Sequence, residues 1–182
     1  MLDIKIVPQK NEFGCAKAVM KTIIKTIYGR EVESLKDHFL SIKSLGTISF
    51  LGLANDALRE HGLSGHMIKR ANSTTKELRC WIEQKKLMVV IFISKANYPH
   101  YAIVADIDDD FICIANTQGA KIEKFPLTEF VERWYLNPRY VNHIQWMYEQ
   151  ENPVFDRMVR WGIKLSKLLY ILRPGTVFIL EQ

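Results

Sequence analysis

Leu87-Met88-Val89-Val90-Ile91-Phe92-Ile93 is the stretch on which the reading of this chain turns. A short, unbroken apolar run rich in β-branched residues predicts a buried strand, whereas the chain before it repeats with a helical period. Downstream, His100–Ile107 and Phe111–Ala115 predict two strands joined at Asp108-Asp109-Asp110, an antiparallel hairpin. Lys121–Phe125 alternates and predicts another strand, followed by a short helix over Leu127–Trp134. Upstream, residues 15–28 predict a helix. Ala16, Val19, Met20, Ile23, Ile24 and Ile27 form its apolar face, Lys17, Lys21 and Lys25 a solvated stripe, and Gly29 its C-terminal stop. Further helices are expected around Ser34–Phe39, over Ser49–Glu60 and over Thr74–Lys85, with a short strand at 66–70. Helices first and an antiparallel sheet second make an α+β fold.

Residues 136–182 read differently. Pro138, Pro153 and Pro174 punctuate them, and the last two bracket an amphipathic helix. Phe155, Met158, Trp161, Leu165, Leu168 and Leu172 lie on one of its faces, and Arg157, Arg160, Lys164 and Lys167 on the other. A basic amphipathic helix suits a membrane surface or a partner groove, yet most such helices pack on their own domain. The expected organisation is therefore a domain over 1–135 and a C-terminal extension over 136–182 packed on it.

The 182 residues are 48% hydrophobic and 25% charged, the mix of a chain that buries a core. No apolar run approaches the ~20 residues that span a bilayer. Met1–Lys10 carries charges and Pro8 where an export signal has its apolar core, so no Sec-type signal is expected. Lys and Arg exceed Asp and Glu by 25 to 20, a mild excess without a block of like charges, so no nucleic-acid partner is expected. Cys15, Cys80 and Cys113 are widely spaced and form no C-x-x-C pair, which excludes a zinc ribbon and a thioredoxin-type motif. His61 and His66 lack the companions of a zinc site, and no metal or organic cofactor is expected. Free thiols suit a reducing compartment, either the cytoplasm or a target cell reached by a signal-peptide-independent route.

Chemistry concentrates in Gln9-Lys10-Asn11-Glu12-Phe13-Gly14-Cys15-Ala16. Cys15 falls in the first turn of a helix, where amide N–H groups and the helix dipole favour the nucleophilic thiolate. Gly14 before it lets a substrate backbone approach. Gln9 can fold its side-chain amide back beside the Cys15 N–H as an oxyanion donor. A lone helix cysteine is more often a buried, inert one. His100 and Asn116 alter that balance, because a histidine opening one strand and an asparagine closing its hairpin partner can meet side by side. Cysteine on a helix with histidine and asparagine on a neighbouring sheet is the Cys-His-Asn arrangement of papain-like enzymes.

On these residues the chain resembles the bacteriocin-processing, double-glycine cysteine peptidases of the papain-like clan, from about Ile6 to Trp134. Gln9 and Cys15 match that family's Gln-x5-Cys spacing. Tyr28-Gly29, Gly46-Thr47 with Leu51-Gly52-Leu53, His100-Tyr101-Ala102-Ile103-Val104 with Ile107-Asp108, and Leu127-Thr128-Glu129-Phe130 with Trp134 are similar to its further landmarks in order. The family normally has Asp-Pro where this chain has Asn116-Thr117, and Asp-Cys-Gly where it has Gly14-Cys15-Ala16. Asparagine can still orient the histidine.

The resemblance implies a papain-like fold and a cysteine endopeptidase that cuts protein or peptide substrates after Gly-Gly. Cys15 would be its nucleophile, His100 the acid/base, Asn116 the orienting group and Gln9 the oxyanion donor. No membrane segment or Walker glycine-lysine motif is present, so a fusion to an exporter is not expected. The expected role is an interbacterial effector held in check by an immunity protein, for which an acidic inhibitor would suit the net charge of +5. The alternatives are a stand-alone leader-processing protease and a non-catalytic substrate-binding domain of the same fold.

Overall fold

The computed structural model describes residues 1–10, 14–35, 50–95, 99–135 and 175–182, with the backbone also of 41–42 and 46–47. Four helices and eight strands follow one another in the described residues. They are α1 (Cys15–Tyr28), β1 (Ser41–Ile42), β2 (Gly46–Thr47), α2 (Phe50–Glu60), β3 (His66–Arg70), α3 (Thr75–Glu83), β4 (Met88–Ile93), β5 (Pro99–Ile107), β6 (Phe111–Asn116), β7 (Lys121–Pro126), α4 (Leu127–Trp134) and β8 (Val177–Glu181). β1 and β2 pair only with each other. The rest form a six-stranded sheet in the order β3-β8-β4-β5-β6-β7, every neighbouring pair antiparallel. The α+β reading holds.

Two layers of helices cover this sheet, which explains the unbroken apolar run in β4. Val89 and Ile91 point into a core with Val19, Ile23, Phe50 and Leu58 from α1 and α2. Met88, Val90 and Phe92 point the other way, into a core with Leu78 of α3 and Phe130 and Trp134 of α4. All six residues of β4 are buried. A strand buried on both faces loses its alternation, because neither side of the pleat faces water.

The helix boundaries follow local chemistry. Thr74 caps α3 in a reciprocal box, its hydroxyl accepting from the Glu77 N–H while the Glu77 carboxylate accepts from the Thr74 N–H. α1 stops at Gly29 in the left-handed conformation, φ 65°. At the β5–β6 turn the Asp108 carboxylate accepts from the N–H groups of Asp110 and Phe111.

β8 carries the main difference from the sequence reading, which assigned no element to residues 175–182. Val177-Phe178-Ile179-Leu180 is too short a run for either period to register. Its strand character follows from its place between β3 and β4, with Phe178 and Leu180 in one core and Val177 and Ile179 in the other. Gly175 starts it at φ 60°, where an added Cβ would lie 2.7 Å from the Ser73 carbonyl oxygen. The Trp134 indole N–H donates to the Thr176 carbonyl, 3.1 Å, tying the end of α4 to the same point. The amphipathic stretch between Pro153 and Pro174 lies outside the described residues. So does most of the helix expected around Ser34–Phe39, of which Ser34 and Leu35 are not helical.

Because β8 holds β3 against β4, Ile179→Ala should cost about 2–5 kcal/mol in urea unfolding, the range for emptying a buried aliphatic site. Ending the chain after Pro174 should abolish the cooperative transition, since β3 then has no strand beside it.

Candidate active site

Cys15 is the first residue of α1, and Gly14 at the N-cap supplies no side chain to satisfy the first-turn amides. Those amides are left for the sulfur. The backbone amides of Tyr101 on β5, of Ala16 and of Cys15 itself face Sγ and pull its pKa down. All three favour the thiolate. Burial opposes them more strongly: Cys15 is only 8% exposed, and its thiol pKa is pushed above the ordinary cysteine value.

His100 stands second in β5 and Asn116 last in β6, side by side at one end of the hairpin. His100 Nε2 lies 2.9 Å from Asn116 Oδ1. The Gln118 N–H donates to the same Oδ1, also at 2.9 Å, so this atom is acting as an acceptor. Nε2 therefore carries the proton, and Nδ1 is left as the basic nitrogen. Phe92 packs edge-on against the imidazole with centroids 6.1 Å apart, fixing the ring plane from the neighbouring strand. Burial lowers the His100 pKa, while the Asn116 hydrogen bond and the Glu123 carboxylate partly oppose the shift. Both candidate reacting groups are thus held toward their neutral forms.

Gln9 arrives by a route that sequence alone did not suggest. Residues 1–9 run extended and antiparallel to α1, where the Lys5 N–H donates to Thr26 Oγ1, 3.0 Å, and the Val7 N–H to Thr22 Oγ1, 2.9 Å. Alternate residues of an extended chain repeat every ~6.6 Å, and helix positions four apart every ~6 Å, so the two ladders stay in step. The next alternate residue is Gln9, carried toward the Cys15 end of α1. Its N–H donates to the Thr117 carbonyl, 2.9 Å, and its side-chain Oε1 accepts from the Thr117 hydroxyl, 3.0 Å.

The structure thus pairs His100 with Asn116 and sets Gln9 on the residue after Asn116. It sets the Cys15 sulfur on the backbone of Tyr101, the residue after His100. Successive strand residues face opposite ways. The Tyr101 ring joins the α1 core beside Cys15, and the His100 ring faces Phe92. Among the described residues no hydrogen bond joins Cys15 to His100. The roles of Thr22, Thr26, Thr117 and the Tyr101 N–H were missed in the sequence reading. The threonines did leave a trace: Thr22 is a polar residue at helical spacing from Thr26 within an apolar stretch. A concavity of about 640 Å3 bounded by Thr75, Phe111, Pro126 and Val131 lies at the hairpin turn, the opposite end of β5 and β6 from His100 and Asn116. Among the described residues no helix is long and apolar enough to cross a membrane.

The family model for the peptidase C39 family matches residues 3–137. The chain is similar to the crystal structure of the peptidase domain of Streptococcus ComA, a bi-functional ABC transporter involved in quorum sensing. That likeness has 21% identity and a TM-score of 0.50, covering 71% of this chain and 91% of that one. It is also similar to a crystal structure described as a C39-like peptidase from Bacillus anthracis, at 9% identity and a TM-score of 0.58. That match covers 100% of this chain and 96% of the other. No curated protein matches the chain.

Because burial holds His100 below 6.5, the unfolded chain takes up its proton first as pH falls. Its contribution to stability is complete above 6.5 and is lost as pH drops through the lowered native value. Urea midpoints should therefore fall between about pH 7.5 and about pH 5, and less so in His100→Gln. In the same way, iodoacetamide labelling of Cys15 should accelerate with pH only above the ordinary thiol range.

Proposed function

This chain belongs to the peptidase C39 family, and from that premise we propose that it is a cysteine endopeptidase working through Cys15, His100, Asn116 and Gln9. The observation that carries the reading is the His100–Asn116 pair at 2.9 Å, one residue along β5 from the amide that holds the Cys15 sulfur. Among the described residues no hydrogen bond joins Cys15 to His100, so this reading requires the imidazole to come to the sulfur when substrate binds.

In this reading Cys15 Sγ attacks the scissile carbonyl carbon as its proton passes to Nδ1 of His100. The neutral resting forms favoured by burial make this a proton transfer during attack. The oxyanion takes hydrogen bonds from the Gln9 amide and the Cys15 N–H. His100, held by Asn116, then delivers the proton to the departing amine, and water releases the acyl group from sulfur.

The specificity we propose is cleavage after Gly-Gly in a protein or peptide, on the family resemblance. A role in leader-peptide processing is the alternative we propose, on the same family resemblance. The effector role with an immunity partner rests on the sequence reading alone.

Incubating the protein with Gly-Gly-containing precursors should give one cut after the second glycine, and Cys15→Ala should give none. Gln9→Ala should lower kcat about 100-fold or more, and His100→Ala about 100- to 10,000-fold. An intact precursor together with an unlabelled Cys15 would leave a substrate-binding domain in place of an enzyme. Expressing wild type and Cys15→Ala in a bacterial cytosol separates an effector, whose wild type stops growth, from a processing peptidase, whose two forms grow alike.

A further inference from the structure

We infer that Thr117 is a positioning residue for the oxyanion site, its hydroxyl fixing which end of the Gln9 amide faces the substrate. The inference rests on the peptidase reading above and adds to it a residue outside the Cys-His-Asn-Gln set. A glutamine amide has an acceptor end and a donor end of nearly the same shape, and only the donor end can stabilise an oxyanion. Something must therefore choose between two orientations related by a half-turn. Thr117 does so by donating its hydroxyl proton to Gln9 Oε1 at 3.0 Å, which turns Nε2 to the opposite side.

Three further features make this contact suited to the task. Thr117 is fully buried, so water does not compete for the Gln9 oxygen from its side. Its carbonyl also accepts from the Gln9 N–H at 2.9 Å, so Gln9 is held at both its backbone and its side chain by one residue. Finally, Thr117 directly follows Asn116, whose Oδ1 accepts from His100 Nε2. The end of β6 therefore orients the acid/base through one residue and the oxyanion donor through the next. The Asn116-Thr117 pair stands where the resembled family has Asp-Pro, and proline has no hydroxyl to offer. This chain's departure from that pattern supplies the hydrogen bond.

Thr117→Val keeps the shape and the backbone contact with Gln9 and removes only the hydroxyl, while Thr117→Ser keeps the hydroxyl. With a Gly-Gly peptide as substrate, Thr117→Val should lower kcat between about tenfold and a hundredfold with KM little changed, and Thr117→Ser should recover most of the loss. Its affinity for a peptide aldehyde ending in Gly-Gly, whose thiol adduct needs the oxyanion donors, should fall in parallel. The iodoacetamide rate at Cys15, which forms no oxyanion, should stay within about twofold of wild type. In a Gln9→Ala background, Thr117→Val should have no further effect on kcat, because the group it orients is gone. Equal kcat in wild type and Thr117→Val overturns the inference, as does an undiminished loss in the Gln9→Ala background. Wild-type protein that cuts no Gly-Gly peptide and forms no aldehyde adduct overturns the peptidase reading itself, and this inference with it.

Discussion

All six residues of β4 are buried, and the rest of the molecule is arranged around that requirement. A strand with apolar side chains on both faces is stable only if the sheet is covered twice. α1 and α2 cover one face, and α3 and α4 the other. The strand's two edges must be closed as well, since unpaired backbone groups in a dry interior are costly. β5 closes one edge and β8, from the far end of the chain, closes the other.

Once the sheet is fixed, the candidate site follows from where its hairpin ends. β5 starts and β6 finishes at the same end of the sheet, so His100 and Asn116 meet without any long-range search. α1 must lie across the first face to cover Val89 and Ile91, and its uncapped N-terminus comes to the backbone of Tyr101. The extended N-terminal segment, hung on Thr22 and Thr26, then delivers Gln9 to Thr117. Each device is a packing contact first and a chemical one second. Their cost is visible in the electrostatics: the burial of Cys15 and His100 holds both toward their uncharged forms.

The local elements were legible because each is long enough to show its period. The apolar face of α1, the capping pair Thr74 and Glu77, and the hairpin turn at Asp108–Asp110 are all written within a few residues of chain. Cys15, His100, Asn116 and Gln9 could be named by residue type and by their places at element ends. What escaped was interaction at a distance. Thr117 looks like an ordinary turn residue until Gln9, 108 positions earlier, is laid against it. β8 is four apolar residues and a glutamate until β3 and β4 take their places beside it.

By itself the sequence determined most element types, the α+β class and the candidate site residues, because periodicity, capping and residue type are local properties. Only the tertiary structure decided which faces those residues share. It set the final strand inside the sheet, the His100 ring on the side opposite Tyr101, and the Gln9 amide on Thr117. Such contacts follow from closing a doubly covered sheet, a condition that no window of neighbouring residues contains.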